Sequence, residues 1–165
     1  MSYNTIKLKK YLDIVEEYPA NAAIYPGMLI ELMSTGYVRA HATAGGNVLP
    51  MVALEDELQG KGIDDAFAQY DRVQCWIPQR GEIAYMILAD GENASIGDFL
   101  ESNGAGYLQV HVADTESFES AEAGEITVYP LQIVAIALEA LDRSGSDEDS
   151  SSPLGGDKRI KVRIV

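Results

Sequence analysis

A mainly β fold is predicted for this chain by three features. Its apolar runs are short, turn residues separate them at close spacing, and its final segment alternates strictly between apolar and basic side chains. Glycine is abundant, at 15 of 165 residues, which suits many tight turns better than packed helices. Roughly eight runs read as strands. Strands do not alternate with long helices, which argues against a doubly wound α/β fold and for a small barrel or sandwich.

The elements are expected in this order. Residues 1–24 form an N-terminal arm. Its apolar residues Ile6, Leu8, Tyr11, Leu12, Ile14 and Val15 fit neither a helical nor an alternating period, and Pro19 disfavours helix just before it. An extended arm with at most a short helical turn is the reading. Residues 25–165 form the β domain. Tyr25-Pro26-Gly27 is a turn signal, followed by strands over Met28–Met33, Tyr37–His41 and Leu49–Glu55. Between Asp56 and Tyr70 the pattern loosens, and Ile63–Ala68 is predicted as one helical turn. Strands resume at Arg72–Ile77 and Glu82–Ala89. Ser95–Leu100 reads as short and turn-like, and Tyr107–Val112 alternates well. An acidic surface loop is expected at 113–125, then the strand Ile126–Tyr129 and the apolar run Ile133–Leu141. Residues 144–157 are acidic and rich in Ser and Gly, the composition of a flexible loop. Ile160–Val165 closes the chain as a strand expected to pair with Ile133–Leu141 around that loop, since a long loop adds little closure entropy.

Charge is unevenly distributed. The net charge is −14, with 26 acidic and 12 basic residues. Lys7, Lys9 and Lys10 lie near the start, and Lys158, Arg159, Lys161 and Arg163 near the end. The stretch between carries five cations against all 26 acids. Such a body repels phosphates, so no nucleic-acid partner is expected, and it favours solubility at high local concentration. The basic ends either dock on an acidic partner or sit against the chain's own acids. The N-terminal end is the better candidate for an outside contact, and Ile6, Lys7, Leu8, Lys9, Lys10 and Tyr11 are the candidate contact residues. No apolar run is long enough to span a bilayer, so no membrane partner is expected. The start lacks a signal-peptide pattern, which implies synthesis in the host cytoplasm.

Motifs for chemistry are sparse. Cys75 is the single cysteine, set in an apolar strand without a nearby His, and reads as a packed side chain. His41 and His111 lack second ligands at metal spacing, and Asp147-Glu148-Asp149 lacks the spacing of a calcium loop. No Gly-x-Ser-x-Gly elbow is present. Gly60-Lys61-Gly62 lacks the rest of a phosphate loop, and Gly104-Ala105-Gly106 precedes a strand where a dinucleotide fingerprint needs a helix. No enzyme activity, cofactor or metal is expected. An enzyme would require a polar cleft around His41 or His111.

Four passages resemble the head decoration (cement) proteins of tailed bacteriophages. The first is Val52-Ala53-Leu54-Glu55-Asp56-Glu57-Leu58-Gln59-Gly60-Lys61-Gly62-Ile63-Asp64-Asp65-Ala66-Phe67. The others are Asp71-Arg72-Val73, the passage Ile96–Ser102 with Gly104-Ala105-Gly106, and Ala137-Leu138-Glu139-Ala140 with Ile160–Ile164. Together they cover residues 25 to 165; the acidic segment 144–157 departs from the family pattern. The resemblance implies a β-barrel or β-tulip module on the capsid exterior of a virion. It also implies a homotrimer whose partner is the major capsid protein, reinforcing junctions between its subunits, with the N-terminal arm in the contact. The alternative is a virion-surface or soluble β-barrel that binds a glycan or small ligand through exposed aromatics, for which Trp76 and nine tyrosines are candidates.

Overall fold

The computed structural model describes residues 4–9, 14–113, 129–145 and 158–165. The described chain is mainly β, built from short antiparallel strands. A 3-10 turn lies at Glu57–Gln59, and no helix among the described residues is long and apolar enough to cross a membrane.

The strands are β1 (Lys7–Lys9), β2 (Val15–Pro19), β3 (Ile30–Leu32), β4 (Val38–Ala40), β5 (Val52–Ala53), β6 (Arg72–Trp76), β7 (Ile83–Ile87), β8 (Asn93–Ala94), β9 (Phe99–Ser102), β10 (Leu108–Val110), β11 (Ile133–Ala137), β12 (Leu141–Asp142) and β13 (Arg159–Ile164). Six of them form the main sheet in the order β1-β7-β13-β11-β9-β10. Three smaller sheets flank it: β2-β6-β5, β3-β4 and β12-β8.

The main sheet curls. Past the end of β7, Leu88 forms a parallel bridge with Leu108 of β10. The free edge of β7 is served in relay: the N–H groups of Tyr85, Ile87 and Ala89 donate to the carbonyls of Ile6, Gly27 and Leu108 at 2.8, 3.2 and 2.7 Å. One strand edge is thus closed by three separate segments, and the far end of the sheet returns to it at a single point. The inward residues Ala84, Met86, Leu88, Leu100, Leu108, Val134, Ala135, Ala137, Ile160, Val162 and Ile164 belong to one buried cluster. Each large aliphatic sealed there contributes about 1.5–3 kcal/mol. A second cluster, with Ile24, Ile30, Val38, Phe67, Val73, Cys75 and Ile87, fills the space by the smaller sheets.

The antiparallel pairing of Ile133–Ala137 with the last strand is present as expected, with Ala135 opposite Ile164 and Ala137 opposite Val162. Other expectations need correction. The strand predicted over Leu49–Glu55 shrinks to Val52–Ala53, because Pro50 has no N–H to give a ladder. The helical turn expected at Ile63–Ala68 lies earlier, at Glu57–Gln59. There the Asp56 side chain accepts from the Gln59 N–H and Gly60 closes the turn at a φ of 75°. Phe67 pairs instead with Ile24 through two backbone hydrogen bonds. The turn seen in Ser95–Leu100 ends at Asp98, and β9 starts at once from Phe99.

The arm expected over 1–24 is, in its described part, built into the body. Ile6 is 0% exposed, β2 pairs along its full length with β6, and Ala20 and Ile24 join the second cluster. Glu55 anchors this segment: its carboxylate accepts from the Thr5 hydroxyl and from the Ile6 N–H, the latter at 3.2 and 3.3 Å. The strand Ile126–Tyr129 and the acidic loops at 113–125 and 144–157 fall almost wholly outside the described residues.

Candidate functional site

The two histidines and the cysteine serve the fold. His41 is 3% exposed. Its Nδ1 is 2.8 Å from the Ser102 hydroxyl, its Nε2 donates to the Asn47 carbonyl at 3.3 Å, and the Glu31 carboxylate lies 3.8 Å away. Ser102, His41 and Glu31 are neighbours, but the ring is turned the wrong way for a hydrolase triad, with the serine on Nδ1 and Nε2 given to the Asn47 carbonyl. Ser102 is also 0% exposed, so its hydroxyl cannot meet a substrate, and it accepts the Gly104 N–H at 3.1 Å. His111 donates from Nδ1 to Glu101 at 2.6 Å, and Gln109 donates to the other oxygen of that carboxylate at 2.8 Å. Cys75 is buried. Burial pushes its thiol up to about 12, against a smaller opposing effect of a backbone hydrogen bond at Tyr18. No group of three or more metal-ligating side chains gathers among the described residues.

A surface stands out where those groups do not. On β13, Ile160, Val162 and Ile164 point into the core, so alternation turns Arg159, Lys161 and Arg163 to the outer face. On β1, Leu8 packs on the core, and Lys9, exposed and opposite Ile83, turns outward. Both strands flank β7, so the basic residues from opposite ends of the sequence share one sheet face. The register sets a cross-strand row: Lys9 opposite Ile83, Ile83 opposite Arg163, Arg163 opposite Ile136, Ile136 opposite Phe99. At about 4.8 Å per strand the row runs roughly 19 Å. Phe99 is 52% exposed, and Arg163 and Lys9 are exposed. The His111 N–H donates to the Phe99 carbonyl at 2.8 Å and extends the row to the far side of β9.

The upper end of that face is closed. Arg159 is 2% exposed. Its guanidinium donates to the Pro26 carbonyl at 3.0 and 3.3 Å, to the Ile63 carbonyl and to Asp64 at 2.8 Å. Gly27 makes room for it: at a φ of 88° it has no Cβ, and one there would lie 3.2 Å from Arg159 Nε and 3.1 Å from the Tyr85 carbonyl oxygen.

Of the contact residues expected from sequence, the structure brings Lys9 to this face, while Lys7 is half-buried opposite the core residue Ala84. It corrects Ile6, which is sealed in the core and cannot touch a partner, and Leu8 is partly buried against the same core. Lys10 and Tyr11 lie outside the described residues. Sequence reasoning missed Phe99, Ile136, Ile83 and Arg163 as a group. Alternation in 160–165 already separated Arg163 from the core residues, but nothing local revealed the register that sets it beside Phe99. An open cleft of about 400 Å³ lies nearby, lined by Arg80, Tyr129, Leu131, Gln132 and Val165 among others.

No protein-family model matches the sequence, and no curated protein matches it. Among solved structures, one fold covers nearly the whole chain. The likeness is to the N base of the head fiber gp8.5 of bacteriophage phi29. The match has a TM-score of 0.52 at 11% identity and spans 93% of this chain and 95% of that one. At that identity the shared property is the fold. The head-fiber base and this chain therefore share an overall architecture while differing at most side chains.

Proposed function

We propose that the chain is a structural protein of a phage head, bound to the outside of the shell. There it reinforces junctions between major capsid protein subunits, as a homotrimer and without enzymatic activity. The observation that carries this reading is the end-to-end likeness to a phage head-fiber base. The burial of Ser102 and His41, whose hydrogen bonds go to each other and to backbone, is in keeping with a structural role for them. Closed three-fold symmetry would repeat each weak shell contact, so avidity would hold what one contact cannot.

The test is to mix purified protein with undecorated shells and image them, then heat decorated and bare shells side by side. Bound density at regular positions and a higher rupture temperature are the expected results. Absence of bound density sinks the proposal. A second reading, a virion-surface or soluble barrel that binds a glycan or small ligand, draws on the cleft beside Arg80 and Tyr129. Binding on a glycan array that an Arg80→Ala substitution abolishes would favour it.

A further inference from the structure

We infer that the outer face of β1, β7, β13, β11 and β9 is the surface that meets the shell. Its partner is a carboxylate-bearing protein surface with an apolar depression that takes the Phe99 ring. The inference rests on the shell-binding reading and assigns it a face.

Three observations converge. First, the chain carries −14 overall, yet Lys9 from one end of the sequence and Lys161 and Arg163 from the other share this face. Several other cations are matched by the chain's own acids: Arg39 pairs with Glu31 at 2.7 Å, Lys61 with Asp71 at 3.2 Å, Arg143 with Asp90 at 2.9 Å and Arg159 with Asp64 at 2.8 Å. Among the described residues, Lys9 and Arg163 have no such partner, nor have Arg72 and Arg80 outside this row, but only Lys9 and Arg163 share a row with an exposed aromatic. Two acids of neighbouring segments are already engaged: Glu139 accepts the Lys161 N–H at 2.8 Å, and Glu101 holds His111 and Gln109.

Second, Phe99 stands half exposed in the same row as Arg163, with Ile136 between them. An exposed aromatic and an arginine held two strands apart in one row are the residue types of an interface hot spot. Third, the row runs from the edge strand β1 across β7, β13 and β11 to β9, so the backbone under Arg163, Ile136 and Phe99 is paired before any partner arrives and little freedom is lost there on binding. A basic strip demands an acidic counterpart, and opposite potentials would speed docking and fix its orientation.

The experiment uses the full chain and undecorated shells, with co-sedimentation at rising salt. Three proteins are compared with the parent: the double variant Lys9→Glu/Arg163→Glu, the variant Phe99→Ser, and Arg72→Glu as a charge-matched control on β6. Melting temperatures confirm that each is folded, and the neutral Arg163→Gln replaces the double variant if that one fails to fold. The expected result is about a hundredfold weaker binding for the charge variant and about tenfold for Phe99→Ser, with Arg72→Glu unchanged. Parent binding should itself weaken as salt rises. If the parent binds and the face variants bind equally well, the face is wrong while the shell reading stands. If the parent does not bind, the shell reading falls and this inference with it. If the variants lose self-association while shell binding persists, the face joins copies of the chain and the assignment is overturned.

Discussion

Arg159 and Arg163 lie on the same strand, on the same face, one turn of the pleat apart from Lys161 on either side. Arg159 is sealed beneath the 25–27 and 63–64 segments with its donors on two carbonyls and a carboxylate. Arg163 is exposed, flanked by Ile83 and Ile136. Identical side chains at equivalent strand positions thus do opposite work. What separates them is the cover provided by the segments 25–27 and 63–64, which reaches Arg159 and leaves Arg163 exposed. A cation under the cover ties segments together, and one beyond it is available to something else.

The largest effect is expected from Arg159→Met. The carbonyls of Pro26 and Ile63 would lose their donor in a buried setting, at about 1–3 kcal/mol each, so a drop of about 3 kcal/mol in unfolding free energy is predicted from denaturant titration. Arg159→Lys should recover only part of it, because an ammonium cannot reproduce the planar fork. Gly27→Ala comes next. The left-handed backbone and the close Tyr85 oxygen and Arg159 nitrogen should cost about 1–3 kcal/mol, read as a lower denaturation midpoint.

Alkali provides a third comparison. The Cys75 thiol is raised by burial to about 12, and burial raises the Tyr107 hydroxyl as well. Above the ordinary thiol range the unfolded chain releases a proton that the folded chain keeps. Stability should therefore be intact near neutrality and fall as pH climbs from about 9 toward 12. Cys75→Ala should flatten that decline, whatever it does to stability at neutral pH. A native thiol titration at pH 8 should find Cys75 unreactive until denaturant is added. The smallest effect belongs to Arg163→Glu, which should leave unfolding free energy within about 0.5 kcal/mol. A large loss there would erase the contrast between the two arginines.

The β class and the pairing of Ile133–Ala137 with Arg159–Ile164 were legible because the alternation of Ile160, Val162 and Ile164 is a local signal of one buried face. The Tyr25-Pro26-Gly27 turn was legible from its residue types. The fate of Ile6 was not. Its neighbours fit no period, and its burial depends on Glu55 and Tyr85, distant residues that hold the arm in place. The extent of the strand around Pro50 was overread because apolar content was weighed above the missing donor. The candidate face was half visible: the basic ends showed in the sequence, but only the register across β7 brings Lys9, Arg163 and Phe99 into one line.

The position of β13 also constrains how the molecule is made. It leaves the ribosome after every other described strand, yet it sits inside the main sheet, between β7 and β11. Until it emerges, those two strands have no ladder to join them, and β7 holds only β1 and its other early partners. Assembly of the sheet must therefore wait until β13 itself has been made, and contacts that link distant parts of a chain form slowly. A product cut short before Arg159 should expose the inner faces of β7 and β11 and aggregate.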